Sequence, residues 1–460
     1  MTRNLLACTA LVSALSLGAA HAATTTTINV GGSSLAYPTY VAEFKAFTSS
    51  NPTDLFSYEA VGSGGGQKAF LNNDITQFEN LSTSILTYGT IVGTQVDIGA
   101  SDATMGLNTA TSGDVNGLTT AQGGVYTGTY TGAVGSSAAD GPLIQIPTFG
   151  VPITLTYNET SAPAAGLTLT DAKICGIMSG KISDWHTLVS TIPAGTTIHV
   201  VVRSDSSGTT FLFTQHLNAV CNSTNSSFPA VGTLPAGQPA ITKTFSTLFP
   251  SGMPANFSSA SGSGAVQTGL LQTSASFGYL SPDYTNIAPL SLNSPVNAAF
   301  VEPTGVATGT TLPVAKVVNT TNGIAYLPTV ANVTTGLAHA GPTSTNATPP
   351  ATAIAAANPQ NWVPNLPTTT AGYPIVGYTT MDLSSCYASN PAGAAIIKFL
   401  GNQYKNTAYQ TIIKNNGFVP LINTAAVKYA SAVTATLLSN TSGYALNINN
   451  ATTCAAYTGR

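Results

Sequence analysis

Three times along this chain a strand-like run delivers a cluster of glycine and serine to the first turn of a helix. No other feature constrains the fold as much. INVGGSSLAYPTYVAEFKAF begins at Ile28, with Tyr40, Phe44 and Phe47 on one helical face. LFSYEAVGSGGGQKAFLNN begins at Leu55, and TIHVVVRSDSSGTTFLFTQHL runs from Thr197 to Leu217. Such alternation predicts a parallel sheet flanked by helices. It also predicts chemistry, because backbone N–H groups in the first turn of a helix have no partner within the helix and suit an anion. The candidate turns are Ser33-Ser34 with Leu35, Gly62-Ser63-Gly64-Gly65-Gly66 and Ser206-Ser207-Gly208-Thr209. Glycine lets the backbone approach closely and the hydroxyls add donors. Each turn alone is usually only an ordinary turn and cap; the three together, with Arg203 just upstream of the third, are what point to an anion.

The charge inventory sharpens this. Charged residues make up 6% of the chain, against about 25% in an average protein, so solubility rests on hydroxyls and amides. The net charge of −3 and the lack of a Lys/Arg cluster argue against a nucleic acid or an anionic membrane as partner. After Arg3 the arginines are Arg203 and the final residue, Arg460. Arg203 lies just before the third turn, where a guanidinium fork suits bidentate contact with a phosphate-like oxyanion. The competing reading is a surface pair with Asp205, worth about 0–1 kcal/mol.

Asp102, in VDIGASDATM, is the second unusual charge. It reads either as a helix N-cap or as part of the pocket. A carboxylate in an anion pocket repels the ligand unless the ligand brings a proton for it to accept. Monohydrogen phosphate does so; sulfate at neutral pH does not.

Residues 1–22 read as a secretory signal peptide, with Arg3, an apolar stretch from Leu5 to Ala20 and Ala20-His21-Ala22 before a cleavage that leaves Ala23 first. Leu5-Leu6-Ala7-Cys8 resembles a lipoprotein box but precedes the apolar stretch instead of following it. No later window reaches the roughly 18 apolar residues of a membrane helix, so a periplasmic or secreted soluble protein is expected. Cys175, Cys221, Cys386 and Cys454 are even in number and read as two disulfides. None forms a C-x-x-C pair, and His186, His199, His216 and His339 form no metal motif, so neither a metal nor another cofactor is expected. His216 reads as a packed or capping side chain.

Between these units the apolar IQIPTFGVPITLTYN, from Ile144, suggests a buried strand crossing into a second lobe. LTLTDAKICGIMSGKISDWHTL, from Leu167, suggests a helix capped by Thr170 and stopped at Gly180. Gly/Thr/Ser-rich sequence between Tyr88 and Asp140 reads as surface loops or a short hairpin, and a Thr/Pro/Asn-rich stretch of about 293–370 as loops with short strands. Helical periodicity returns from Ala392 to Phe418.

GGSSLAYPTY, VGSGGGQKAF, VDIGASDATM and VVRSDSSGTTFLFTQHL resemble, in order, the ligand-binding segments of bacterial periplasmic phosphate-binding proteins, the solute-binding subunits of the phosphate ABC transporter. SFGYLSPDY, from Ser276, resembles a strand of that family's second lobe. The resemblance implies an α/β, two-lobed periplasmic-binding-protein fold of type II, the Venus flytrap, with the ligand cleft between lobes. The first lobe would comprise 23–146 and 372–460, the second 147–371. It implies inorganic phosphate as ligand, held by Ser34, Leu35, Ser63, Asp102, Arg203, Ser207, Gly208 and Thr209. The chain carries Ser34-Leu35-Ala36 where the family usually has Thr-Phe-Pro, which preserves a hydroxyl and an N–H. A monomer delivering phosphate to an inner-membrane permease follows, a capture module and not an enzyme. Four cysteines permit three connectivities; the lobe division favours Cys175–Cys221 and Cys386–Cys454. The alternatives are a secreted phosphoester hydrolase using the same pocket, and an extracellular phosphate scavenger or adhesive protein without a transporter.

Overall fold

A computed structural model describes residues 25–79, 86–104, 140–163, 166–287, 312–339, 349–357, 359–363, 365–388, 390–422 and 429–460. The expected signal peptide, Cys8, most of the loop region before Asp140 and much of the Thr/Pro/Asn-rich stretch lie outside these residues.

Strands β1 (Thr26–Gly32), β2 (Asp54–Glu59), β3 (Thr87–Tyr88), β4 (Ile98–Ser101), β5 (Leu143–Pro152), β13 (Val376–Ser384) and β14 (Val419–Pro420) form one mixed sheet, ordered β14-β5-β13-β4-β1-β2-β3. β1 runs parallel to β2 and β4, as the strand–turn–helix units require. The helix Tyr37–Ser50 packs on this sheet through the predicted face. Phe44 stacks on Phe56 at 4.5 Å between ring centroids, and Phe399 from the helix Asn390–Lys405 closes on both at 5.0 and 5.1 Å. β5 is buried on both faces, which explains its nearly unbroken apolar run. Its internal Pro147 is tolerated because the pairing with β13 shifts register there: Thr380 faces Pro147, Thr379 faces Phe149, and Thr148 bulges between them.

The second lobe carries β6 (Thr154–Asn158), β8 (His199–Arg203), β9 (Phe257–Ala260) and β10 (Ser276–Leu280), ordered β6-β10-β8-β9. Beside it β7 (Thr168–Leu169), β11 (Lys316–Val318) and β12 (Ala325–Tyr326) form a small sheet. Thr170 caps the helix Asp171–Met178 by accepting from Lys173 N, and Gly180 takes a positive φ two residues beyond it.

The lobe boundaries differ from the expected ones. Residues 147–152 stay paired in the seven-stranded sheet, so the crossing falls at Ile153, the only residue between β5 and β6. The stretch of about 293–370 also contains a helix, Val330–Ala338, that packs on β5, β13 and β14 and belongs with the first sheet. Val330, Val333 and Leu337 have helical spacing that the surrounding Thr and Asn obscure, and Leu337 fills the space left by Gly150.

The disulfides join Cys175 to Cys221 and Cys386 to Cys454. Near the second, Arg460 is buried against the first lobe. Its guanidinium pairs with Asp140 at 2.9 Å, donates to Ser384 Oγ and the Val96 carbonyl at 2.7 Å each, and lies 4.1 Å over the Phe70 ring. Removing one member of a buried pair strands the other charge. Arg460→Ala is therefore expected to lower unfolding free energy by about 3–5 kcal/mol. Denaturant titration checks this, and a loss below about 1 kcal/mol would mean that the pair is not structurally important.

Candidate anion-binding site

Four helix N-termini converge where the two lobes meet. From the first lobe come Tyr37–Ser50, preceded by Ser33-Ser34-Leu35-Ala36, and Ser63–Asn72, preceded by Gly62. From the second come Gly208–Val220, capped by Ser207, and Gly262–Gln272, preceded by Ser261. The fourth unit, FSSASGSGAVQTGLLQ, repeats the strand–Gly/Ser–helix pattern, and that repetition is the signal by which Ser263, which is not among the expected contacts, could be found.

Asp102 follows β4 directly and caps no helix. Its carboxylate accepts from Ser33 Oγ at 2.7 and 2.9 Å and from Ser63 Oγ at 3.2 Å, while its own N–H donates to Ser63 Oγ at 3.1 Å. Burial pushes its pKa above the usual carboxylate value, against the pull of hydrogen bonds from Thr379, Ser33 and Ser63 and of the Arg203 charge. The sequence marks Ser33 only as part of a turn, and the structure shows that it holds Asp102.

Arg203 does pair with Asp205, but in the interior and not on the surface. Nε donates to Asp205 Oδ1 at 2.7 Å and Nη2 to Oδ2, with Arg203 only 2% exposed. Nη1 remains directed at the hydroxyls of Thr209 and Ser263, at 3.2 Å each. Burial opposes ionisation of Asp205, yet the charge and hydrogen bonds of Arg203 outweigh it and hold this carboxyl below the usual range. Asp205 Oδ1 also accepts the Gly262 N–H at 2.9 Å, which fixes the fourth helix to the arginine.

The lobes touch through these same groups. Gly64 N–H donates to the Ser206 carbonyl at 2.8 Å, Ser263 N–H to Ser34 Oγ at 3.1 Å, and Tyr284 OH to the Ser34 carbonyl at 3.1 Å. Gly208 lies so near Ser63 and Asp102 that a Cβ there would fall 2.3 Å from Ser63 Oγ and 2.7 Å from the Asp102 carboxylate. Glycine is required for this approach, whatever its backbone angle. Ser207 Oγ accepts from Thr210 N, so this hydroxyl also caps its helix. The structure thus brings Ser34, Ser63, Asp102, Arg203, Ser207, Gly208 and Thr209 together, buried, where the two lobes meet, with Leu35 buried in the turn beside Ser34. His216 is buried and packed as expected, its ring nitrogens 3.0 Å from Asp171 Oδ1 and 3.1 Å from the Pro367 carbonyl. Among the described residues no group of three or more His, Cys, Asp and Glu side chains could hold a metal ion.

Residues 17–339 match the PBP superfamily domain. The chain belongs to this superfamily. Among its relatives, Alkaline phosphatase L of Pseudomonas aeruginosa is 31% identical over 419 residues, 89% of each chain. A protein named Phosphate-binding protein, from an unknown prokaryotic organism, is 30% identical over 93% of this chain and 98% of its own. Among solved structures, the phosphate binding protein of Stenotrophomonas maltophilia superposes with a TM-score of 0.67 at 29% identity, covering 95% of this chain and 100% of that one. A high affinity periplasmic phosphate-binding protein solved with phosphate matches equally well, with a TM-score of 0.67 at 29% identity over 95% and 99% of the two chains. The expected α/β two-lobed fold is the one found.

This PBP superfamily member buries several acids. Burial raises the carboxyls of Glu59, Asp97 and Asp382 to about 7 each; hydrogen bonds from Asn29 N–H to Asp97 and from Gln145 to Asp382, with the charges of Arg460 and Lys243, only partly offset it. Between their unfolded values near 4 and these folded values, the folded state binds more protons than the unfolded one. Stability should accordingly rise as pH falls from about 7 toward 4, and be lost again below that, where Asp205 and Asp171, both held low, must protonate. Thermal melts should show a midpoint several degrees higher at pH 5 than at pH 8, at least about 5 °C. A midpoint that falls steadily below pH 7 would contradict the burial of these acids.

Proposed function

We propose that this chain captures inorganic phosphate in the cleft and works as the solute-binding partner of an importer outside the cytoplasm. The observation that carries the reading is the placement of the Asp102 carboxylate, held by two serine hydroxyls, against the Gly208 N-terminus, with Nη1 of Arg203 directed to the same place while its fork is held by Asp205. N–H groups, hydroxyls and Nη1 supply donors to an oxyanion's bare oxygens, and Asp102 supplies an acceptor for a protonated one. Ser34, Leu35, Ser63, Asp102, Arg203, Ser207, Gly208 and Thr209 are the proposed contacts. Ser263 joins them through its bond to Arg203. The names of the relatives and structural neighbours agree with this ligand.

Phosphomonoester hydrolysis is the second reading, favoured by the relatives named Alkaline phosphatase L. Calorimetric titration with phosphate, beside assay of p-nitrophenyl phosphate turnover, separates the two. Capture predicts tight stoichiometric binding and no sustained turnover; catalysis predicts turnover that phosphate inhibits.

Arg203→Ala is expected to weaken phosphate binding by roughly a hundred- to several-thousand-fold, about 3–5 kcal/mol, part of it from stranding Asp205. Binding within about threefold of the parent protein would place the site elsewhere. Asp102→Asn exchanges an acceptor-only group for one that also donates, at nearly the same shape. It should retain phosphate binding with modest loss and narrow the preference over sulfate by about 1 kcal/mol or more. Competition calorimetry at neutral pH measures both effects. Displacement of phosphate from the parent protein by millimolar sulfate would remove the role given to Asp102.

A further inference from the structure

A lysine outside every anion-site motif also bridges the lobes. Lys243 lies in the second lobe, after the helix Gly208–Val220 and before the short helix Phe245–Leu248. The preceding Thr242 is tied to that lobe, its N–H donating to Thr214 Oγ1 at 3.0 Å and its carbonyl accepting from the same hydroxyl at 3.0 Å. The Lys243 carbonyl accepts the N–H of Ser207, the cap of the helix that presents Gly208 and Thr209, at 2.9 Å. Its side chain runs the other way. Nζ donates to Gln67 Oε1 at 2.6 Å, and Gln67 Nε2 donates to the carbonyl of Ala103, next to Asp102, at 2.7 Å.

Gln67 stands one turn beyond Ser63 on its helix. Lys243 thus touches the anion site by its backbone, through Ser207, and lies one residue from it by its side chain, through Gln67. The lysine is 6% exposed, and its charge acts on the buried Asp382 of β13, whose Oδ1 accepts from Gln145 Nε2 at 2.9 Å. Gln67, Ala103, Gln145 and Asp382 all belong to the seven-stranded lobe. A cation from one lobe is therefore placed among polar groups of the other.

We propose that Lys243 is a latch of the closed cleft, a positioning residue whose ammonium grips Gln67 only when the two lobes have come together and so sets how long a bound anion stays. This rests on the reading that the cleft captures phosphate. When the lobes part, a lysine on a flexible four-carbon stem exchanges the amide for water, so the open protein gains nothing from it. In the closed state the bond is buried and its loss leaves Gln67 Oε1 without its donor. The effect belongs to release and not to encounter, since the ammonium is enclosed only after closure.

Stopped-flow phosphate binding and release, with melting curves in the presence and absence of phosphate, test the latch on the full chain. Lys243→Met keeps the stem and removes the charge. It should raise the release rate at least tenfold, leave the association rate within about twofold, and leave the melting midpoint of the phosphate-free protein unchanged. Lys243→Arg should recover most of the slow release, which a purely structural role does not predict. Gln67→Met approaches the same bond from the other lobe and should reproduce the faster release if Lys243→Met folds poorly. Release at the parent rate in both methionine variants, or a fall in midpoint equal with and without phosphate, overturns the latch while leaving the phosphate site intact. Parent protein that binds no phosphate overturns both.

Discussion

The buried pairing of Arg203 with Asp205 governs the cleft. A guanidinium taken out of water must be matched in charge and in hydrogen bonds, and Asp205 does both through a two-point contact. The same carboxylate then accepts from Gly262 N–H, and its Oδ2 would lie 2.5 Å from a Cβ placed on Gly62. One side chain therefore fixes the arginine, the fourth helix and the approach of the glycine turn from the facing lobe. Only the Nη1 edge is left for the interior of the cleft. Because the arginine is already neutralised, recognition must rest on the pattern of donors and acceptors and not on surplus positive charge.

That pattern divides between the lobes. The first lobe contributes Asp102, held between Ser33 and Ser63, and the second contributes Arg203 with Thr209 and Ser263. The acceptor lies on one side and the strongest donor on the other, so neither half is a complete site. On the proposed reading, closure and recognition are one event, as in a hinge that closes around its ligand.

Much of this was legible in the sequence because glycine, serine and the rare arginine mark positions where backbone geometry and charge leave few alternatives. The parallel units and the cap at Thr170 belong to that class, whereas the cysteine pairs and the pocket role of Asp102 came from the family resemblance, the residues alone leaving three connectivities and an N-cap reading open. What escaped has a physical reason in each case. The crossing was legible within IQIPTFGVPITLTYN, but its exact place at Ile153 was not, since Pro147 and Pro152 both interrupt the run and only the pairing of 147–152 with β13 decides between them. The helix Val330–Ala338 sits in sequence whose Thr and Asn content resembles a loop, and only its packing on β5 reveals the apolar face. Ser263 repeated a pattern already recognised three times, but nothing local distinguishes a helix end that faces the cleft from one that does not. Lys243 had no motif at all; its partners lie far away in sequence.

The scarcity of charge has a kinetic consequence. A chain with 6% charged residues and a net charge of −3 offers no long-range field to draw an anion in, and its one cleft guanidinium is masked by Asp205. Encounter with an oxyanion then proceeds at the unassisted diffusional pace and is nearly indifferent to the ionic strength of the surroundings. On the proposed reading, selectivity then lies in the lifetime of the complex and not in the rate at which it forms.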